Sequence, residues 1–148
     1  MNTTELISFF ERDLNRLIVE IESYKNEQNI WRIEKHISNS AGNLVLHLIG
    51  NLNTFIGKEI GHTNYVRNRE LEFSQKDIAR SKLIENINNT LQIVKNSLQT
   101  LTEEDLKKDY PILKFEEITS TEYLLVHLTT HLTYHLGQIN YHRRLIED

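Results

Sequence analysis

Residues 123–146 read YLLVHLTTHLTYHLGQINYHRRLI and contain three histidines at four-residue intervals. Apolar residues recur through this stretch at helical spacing, which predicts a helix over about Ser120–Ile146. Steps of four residues advance about 400° around a helix, so neighbouring members of such a series lie on one face. His127, His131 and His135 are therefore expected to stack along one face of an otherwise apolar helix.

Three more helices are predicted from the same kind of periodicity. They cover, approximately, Thr4–Tyr24, Ser40–Ile60 and Gln75–Leu101. Ser74 and Asp77 have the spacing of a capping box before the third helix, and Thr119 and Glu122 have it before the fourth. Long connections separate the helices, so the expected fold is an all-α four-helix bundle with at least one long crossover connection.

The length and composition of the chain are those of a single globular domain. Its 148 residues fit one domain, residues 1–148, of which 39% are hydrophobic and 26% charged. The net charge is −4 and the basic residues are dispersed, so nucleic acid is not an expected partner. No signal peptide is recognised, and no run reaches the ~20 apolar residues of a membrane span. A cytoplasmic location without membrane contact is therefore expected.

The sequence contains no cysteine. Disulfide bonds and thiolate metal ligands are therefore excluded, and so is a catalytic cysteine. Any thiol chemistry at this protein would need a thiol that the substrate supplies.

The spacing of the histidines is typical of a helical metal site. Two imidazoles at positions i and i+4 can bind one ion, and a third ligand must then come from another element. His47, in the apolar stretch Asn43–Thr54, is the best candidate for that ligand. The pairs His127–His131 and His131–His135 have equivalent spacing, although their depth in the bundle slightly favours the second pair. The alternative is that these histidines are ordinary hydrogen-bonded core residues.

Several residues near the histidines carry weaker expectations. Gln138 follows His135 by one turn and is expected to hydrogen-bond a ligand imidazole. Gly137 is costly inside a helix, so close helix approach or the site itself is expected to explain it. Peripheral positions are expected for His36, His62 and His142. For Glu70 and Glu72 a solvated or structural role is expected over a position at the bundle mouth, so no carboxylate is clearly placed as a general base. For Arg67 and Arg69 a solvated loop face is expected over contact with an anionic substrate. Pocket lining or simple packing is expected for Tyr134 and Tyr141.

At these residues the chain resembles the DinB/YfiT-like superfamily of bacterial metal-binding four-helix bundles. The matching pieces are Leu44–Leu52, LVLHLIGNL, and His131–Ile139, HLTYHLGQI, and the loop Arg67–Phe73, RNRELEF, is similar to one in uncharacterised members. The resemblance covers essentially the whole chain. It implies that His47, His131 and His135 bind a divalent zinc, nickel or iron ion, and that His127 lies outside the ligand set.

The resemblance also implies a class of reaction. Characterised relatives include S-transferases and isomerases that depend on the thiols bacillithiol or mycothiol, beside many members without known activity. A metal-dependent transferase acting on a small-molecule substrate with a low-molecular-weight thiol is therefore the leading expectation, with a homodimer as a plausible assembly. The alternatives are a metal-dependent hydrolase that uses the same ligands, and a non-catalytic metal-binding or dimerising bundle.

Overall fold

The computed structural model describes residues 1–147, and these residues are helical with irregular connections. The α-helices are α1 Thr3–Ser23, α2 Ala41–Leu52, α3 Arg69–Ser74, α4 Arg80–Leu98, α5 Glu103–Lys107 and α6 Thr121–Ile146. A short 3₁₀ segment covers Glu27–Trp31, and a π-helical segment covers Asn53–Lys58. Within residues 1–147 there is no strand, only an isolated antiparallel bridge between Asp109 and Ser120. The prediction of an all-α chain is confirmed.

The four long helices pack around one apolar core. Helix α1 packs against α4 and α6, and α2 packs against the same two helices. The buried face of α1 follows the predicted helical spacing, and it is formed by Leu6, Phe10, Leu14, Leu17 and Ile21. Because α2 lies directly against α6, side chains on their facing surfaces can meet inside the protein. In the part of the chain that is described, no helix is long and apolar enough to cross a membrane.

The fourth helix begins where it was predicted, but the capping box expected before it does not form. Helix α6 is capped by Ser120, whose hydroxyl accepts from the Tyr123 amide at 3.1 Å. The Thr119–Glu122 capping box does not form, because Glu122 accepts a hydrogen bond from the amino terminus at 2.8 Å. The carbonyl of Thr119 accepts from the Tyr110 amide at 2.8 Å, so backbone pairing between the two ends of the α5–α6 connection precedes the start of α6.

The third predicted helix, Gln75–Leu101, begins five residues too early. Ser74 is the last residue of α3, and α4 begins only at Arg80. Asp77 has a positive φ of 59°, outside the right-handed helical region. The Asn43 amide of α2 donates to the Gln75 carbonyl at 2.8 Å, so a contact between distant segments holds this connection in a non-helical path.

The second predicted helix, Ser40–Ile60, is divided into two parts. Regular helix α2 ends at Leu52 and continues as the π-helical segment Asn53–Lys58. Inside this segment Asn53 is buried and donates to the Thr90 hydroxyl of α4 at 3.0 Å. Wider helical turns of this kind are frequent at functional sites. This one follows His47 within two turns and places Phe55 near the same end of the bundle.

Candidate metal centre

The structure brings together His47 of α2 and His131 and His135 of α6. Nε2 of His131 lies 3.3 Å from Nε2 of His47 and 3.2 Å from Nε2 of His135. One ring nitrogen from each of the three residues lies within 4.8 Å of the others, so the group could hold a metal ion. Nitrogens about 2.0–2.1 Å from one tetrahedral zinc ion are separated by about 3.3 Å, which fits both short distances.

Two of the three rings have fixed orientations. Nδ1 of His47 lies 3.1 Å from the Glu72 carboxylate, and Nδ1 of His135 lies 2.7 Å from Oε1 of Gln138. Both partners are acceptors, so each Nδ1 carries the proton and each Nε2 keeps a free lone pair. Such outer partners are typical of metal-binding histidines. The expected hydrogen bond between Gln138 and one of these imidazoles is confirmed, with Gln138 as the acceptor.

Glu72 is placed by contacts from both sides. Arg67 donates to its two carboxylate oxygens, with Nε at 2.8 Å and Nη2 at 3.0 Å. The Asn43 side chain donates to the Glu72 backbone carbonyl at 2.9 Å, which fastens α3 to α2. Gly50 lies one turn beyond His47, and a Cβ at that position would overlap the Glu72 carboxylate. The buried Glu72 carboxylate thus fills the space beside Gly50 that a side chain on α2 would otherwise occupy.

His131 differs from its two partners. Its Nδ1 is buried and has no hydrogen-bond partner among the described residues. Burial, together with the neighbouring His135 and His47, lowers the pKa of His131 to about 3. Burial also lowers the pKa of His47. Neutral imidazoles are the form that binds metal, so these two histidines need not lose a proton to become ligands.

His127 is not part of the cluster. Its ring lies 6.3 Å from that of His131, nearly parallel to it, and it packs edge-to-face on Phe115 at 4.8 Å. Burial lowers the pKa of His127, and the Lys114 cation acts in the same direction. Of the two pairs that spacing left open, the structure joins His131–His135 to His47.

The prediction of a peripheral His142 is wrong, because this residue is buried. Its Nε2 donates to the Arg32 carbonyl at 2.8 Å, and its Nδ1 accepts from the Tyr24 hydroxyl at 2.6 Å. His36 and His62 are exposed, as predicted.

Two other expectations need correction. Close helix approach does not explain Gly137, since a Cβ there would meet no atom within 4 Å. Arg67 is only 18% exposed, so it does not belong to a solvated loop face; it pairs with the buried Glu72, which has the structural one of its two expected roles. Arg69 and Glu70 are exposed, as expected. Tyr134 and Tyr141 are also largely exposed, although the Tyr134 ring contacts that of His135 at 5.4 Å.

Sequence reasoning missed the contribution of Glu72, and one signal pointed to it. Gly50 stands within an apolar helix three residues after a candidate ligand, which is typical of close approach by another group. The partner itself is 25 residues away from His47 and is recognisable only in the folded chain.

Comparison with known proteins gives one assignment. The chain matches DUF1572, described as a protein family of unknown function, over residues 4–148. No curated protein matches it. Because the match covers nearly the whole sequence, this chain belongs to the DUF1572 family.

Proposed function

We propose that His47, His131 and His135 bind a divalent metal ion, such as zinc, nickel or iron, and that the protein transfers a low-molecular-weight thiol to an electrophilic small molecule. The observation that carries this proposal is the convergence of three Nε2 atoms, two of them fixed by acceptors on Nδ1. Three ligands leave a coordination position for a substrate.

The side chains around the cluster have distinct roles in this proposal. The three imidazoles hold the ion, while Glu72 and Gln138 orient His47 and His135. Bound divalent metal lowers the pKa of a coordinated thiol or water molecule. In the transfer, the thiol loses its proton to solvent, its sulfur forms a bond to the electrophilic carbon, and the leaving group departs with its bonding electrons.

The surroundings of the cluster support a thiol more than water as the nucleophile. Within residues 1–147, Glu72 is the one carboxylate paired with a histidine of the cluster, and it faces Nδ1 of His47 rather than Nε2. Arg67 already engages both of its oxygens. Hydrolysis gains from a general base next to the attacking water, and Glu72 is not in that position. A thiol is more acidic than water and has less need of such a base.

We also propose that the chain is a single DinB/YfiT-like four-helix bundle made of α1, α2, α4 and α6. The packing of α1 and α2 against the same two helices supports this arrangement, and so does the origin of the histidines on α2 and α6. A bacillithiol-type thiol is the proposed co-substrate. The homodimer and the cytoplasmic location stay predictions.

Metal analysis of the purified protein tests the site first. One ion per chain is expected in the wild type, with loss of occupancy in His47→Ala, His131→Ala and His135→Ala. His127→Ala is the matched control, because it removes an imidazole from the same face of α6 outside the cluster. Full occupancy in all three cluster variants would show that these residues are not the ligands.

Turnover of model electrophiles then tests the reaction. The metal-loaded protein is assayed with an aryl halide in the presence and absence of a low-molecular-weight thiol, and with activated esters. Thiol-dependent release of halide supports the transferase. Ester hydrolysis with water alone would favour the hydrolase, and a metal-loaded protein inert in every assay would favour a non-catalytic metal-binding bundle.

A further inference from the structure

We propose that Lys114 binds a carboxylate of the thiol substrate, so that the site selects acidic thiols over neutral ones. This inference rests on the proposed function. It concerns a residue in the connection between α5 and α6, outside the histidine cluster and its hydrogen-bond partners.

Contacts with aromatic rings position Lys114. Its ammonium lies 4.6 Å from the centre of the Phe55 ring and 5.4 Å from that of Phe115. Both are cation–π distances, which stabilise a cation without neutralising it. The Tyr110 hydroxyl donates to the Phe55 carbonyl at 2.6 Å and fastens this connection to the π-helical segment.

Both aromatic rings contact residues that in turn contact the histidine cluster. Phe115 packs against His127, whose ring lies over that of His131. Phe55 also lies 5.9 Å from the Arg67 guanidinium, and Nη2 of Arg67 is 3.4 Å from Nδ1 of His47.

The positive charge of Lys114 is not neutralised by the protein. Among residues 1–147 no carboxylate lies within 4.0 Å of its ammonium. Glu116 and Glu117 line the same opening of about 820 Å³, yet neither pairs with it. Burial, followed by the charges of Arg67 and Arg69, lowers the pKa of Lys114. A half-buried cation beside two arginines is stabilised when an anion binds to it.

Of Arg67, Arg69 and Lys114, the lysine is best placed to bind an anionic group of a substrate. Arg67 donates Nε and Nη2 to the Glu72 carboxylate, and Arg69 is exposed over the Phe73 ring. Lys114 combines partial burial, an open side and the absence of a carboxylate partner. An anionic group that reaches it from the cluster would gain a charge-assisted hydrogen bond.

Binding of two matched thiols to the cobalt-substituted protein tests the proposal. 4-Mercaptobenzoate and 4-mercaptobenzamide differ in charge, and their para geometry prevents both ends of one molecule from contacting a single ion. Changes in the visible absorption of Co²⁺ report thiol binding without any turnover. We expect the wild type to prefer the carboxylate about tenfold, as one charged hydrogen bond allows. Lys114→Met is expected to lose that preference, and Lys114→Arg to keep most of it.

Controls separate the possible outcomes. Lys107→Met removes an exposed lysine of α5 and should leave the preference unchanged. Unaltered binding of the neutral thiol by Lys114→Met shows that the variant is folded. Equal affinities for the two thiols in the wild type, or a preference that survives in Lys114→Met, would overturn the role of Lys114 alone. A wild-type protein whose cobalt spectrum responds to neither thiol would overturn the proposed function as well.

Discussion

The histidine cluster and the His142 site both use imidazoles of α6, yet their hydrogen bonding is opposite. His142 uses both nitrogens, one toward the Tyr24 hydroxyl and one toward the Arg32 carbonyl. In the cluster the Nε2 atoms face one another at 3.2 and 3.3 Å, and they have no other acceptor or donor among the described residues. A satisfied imidazole stabilises the fold, whereas ring nitrogens that converge on one another leave a place for an ion.

Spacing along the helix does not distinguish these two cases. His142 follows His135 by seven residues, two helical turns, so it continues the same general face. The difference comes from what the rest of the chain brings against each ring. The turn after α1 supplies complementary partners for His142, while α2 brings another imidazole to the cluster.

Addition of metal should separate the two sites most strongly. At a free metal concentration about 1,000 times Kd, binding to the folded state alone stabilises it by ~4 kcal/mol. We expect urea unfolding to show this gain with zinc in the wild type and in His142→Ala, and to show none in His131→Ala. A similar gain in His131→Ala would place the ion elsewhere.

In the metal-free protein, removal of an imidazole should cost more stability at the His142 site than at the histidine cluster. His142→Ala leaves the Tyr24 hydroxyl and the Arg32 carbonyl without their partner and creates a cavity, so we expect a loss of about 2–4 kcal/mol. His131→Ala removes a ring whose Nδ1 is already unpaired, and a smaller loss is expected. Urea unfolding with a chelator measures both. The exposed His62→Ala is the control, and a larger loss in His131→Ala would contradict the comparison.

Removing the outer carboxylate should weaken metal binding without destroying the ligand set. Loss of such a partner typically costs about 10–100-fold in affinity, and we expect this for Glu72→Gln. Gly50→Ala should act in the same direction, because its methyl group would displace the Glu72 carboxylate. Competition with a chromogenic chelator measures Kd. Glu70→Gln, an exposed neighbour on α3, should bind like the wild type, and unchanged affinity in Glu72→Gln would remove Glu72 from the site.

Of these changes, acidification should have the smallest effect on stability. It tests whether the buried His142 ring is neutral in the folded protein. Burial lowers the pKa of His142 below its ordinary value. Above about pH 6.5 the ring is neutral in both states and its contribution to stability is complete. Below that pH the unfolded chain takes up the proton first, so the contribution is lost as the pH falls through the folded-state pKa. The loss is at most ~1.4 kcal/mol per pH unit.

His142→Gln is the matched variant for this measurement. Urea unfolding of the metal-free protein at several pH values below neutrality should give a shallower slope in His142→Gln than in the wild type. The other ionisable groups are the same in both proteins, so their contribution cancels in the difference. Parallel slopes would mean that His142 does not carry a lowered pKa.

The sequence predicted those parts of the site that depend on local spacing. The face shared by His131 and His135 follows from helical geometry, and His47 stands out as a polar residue within an apolar helix. Glu72 could not be predicted in the same way, because its position depends on Asn43 and Gly50 holding α3 against α2. Tertiary contacts also explain the late start of α4 and the missing Thr119–Glu122 capping box. Backbone pairing of Tyr110 with Thr119 overrides the predicted capping box.

The misjudged depth of His142 has a similar cause. Two arginines follow it near the end of the chain, and that pattern is typical of an exposed helix end. Tyr24, at the end of α1, covers the ring from a position 118 residues away, a contact that periodicity does not report.

The unpaired Nδ1 of His131 implies a change of tautomer during metal loading. Without metal, a proton on Nε2 of His131 can be shared with the lone pair of His47 or His135 at 3.2–3.3 Å. To become a ligand, the same Nε2 must present its lone pair, so the proton must move to Nδ1. None of the described residues accepts a hydrogen bond from that Nδ1. On metal binding, the nitrogen chemical shifts of the His131 ring should therefore show that the proton has moved from Nε2 to Nδ1. The shifts of His47 and His135 should show a protonated Nδ1 both before and after metal binding.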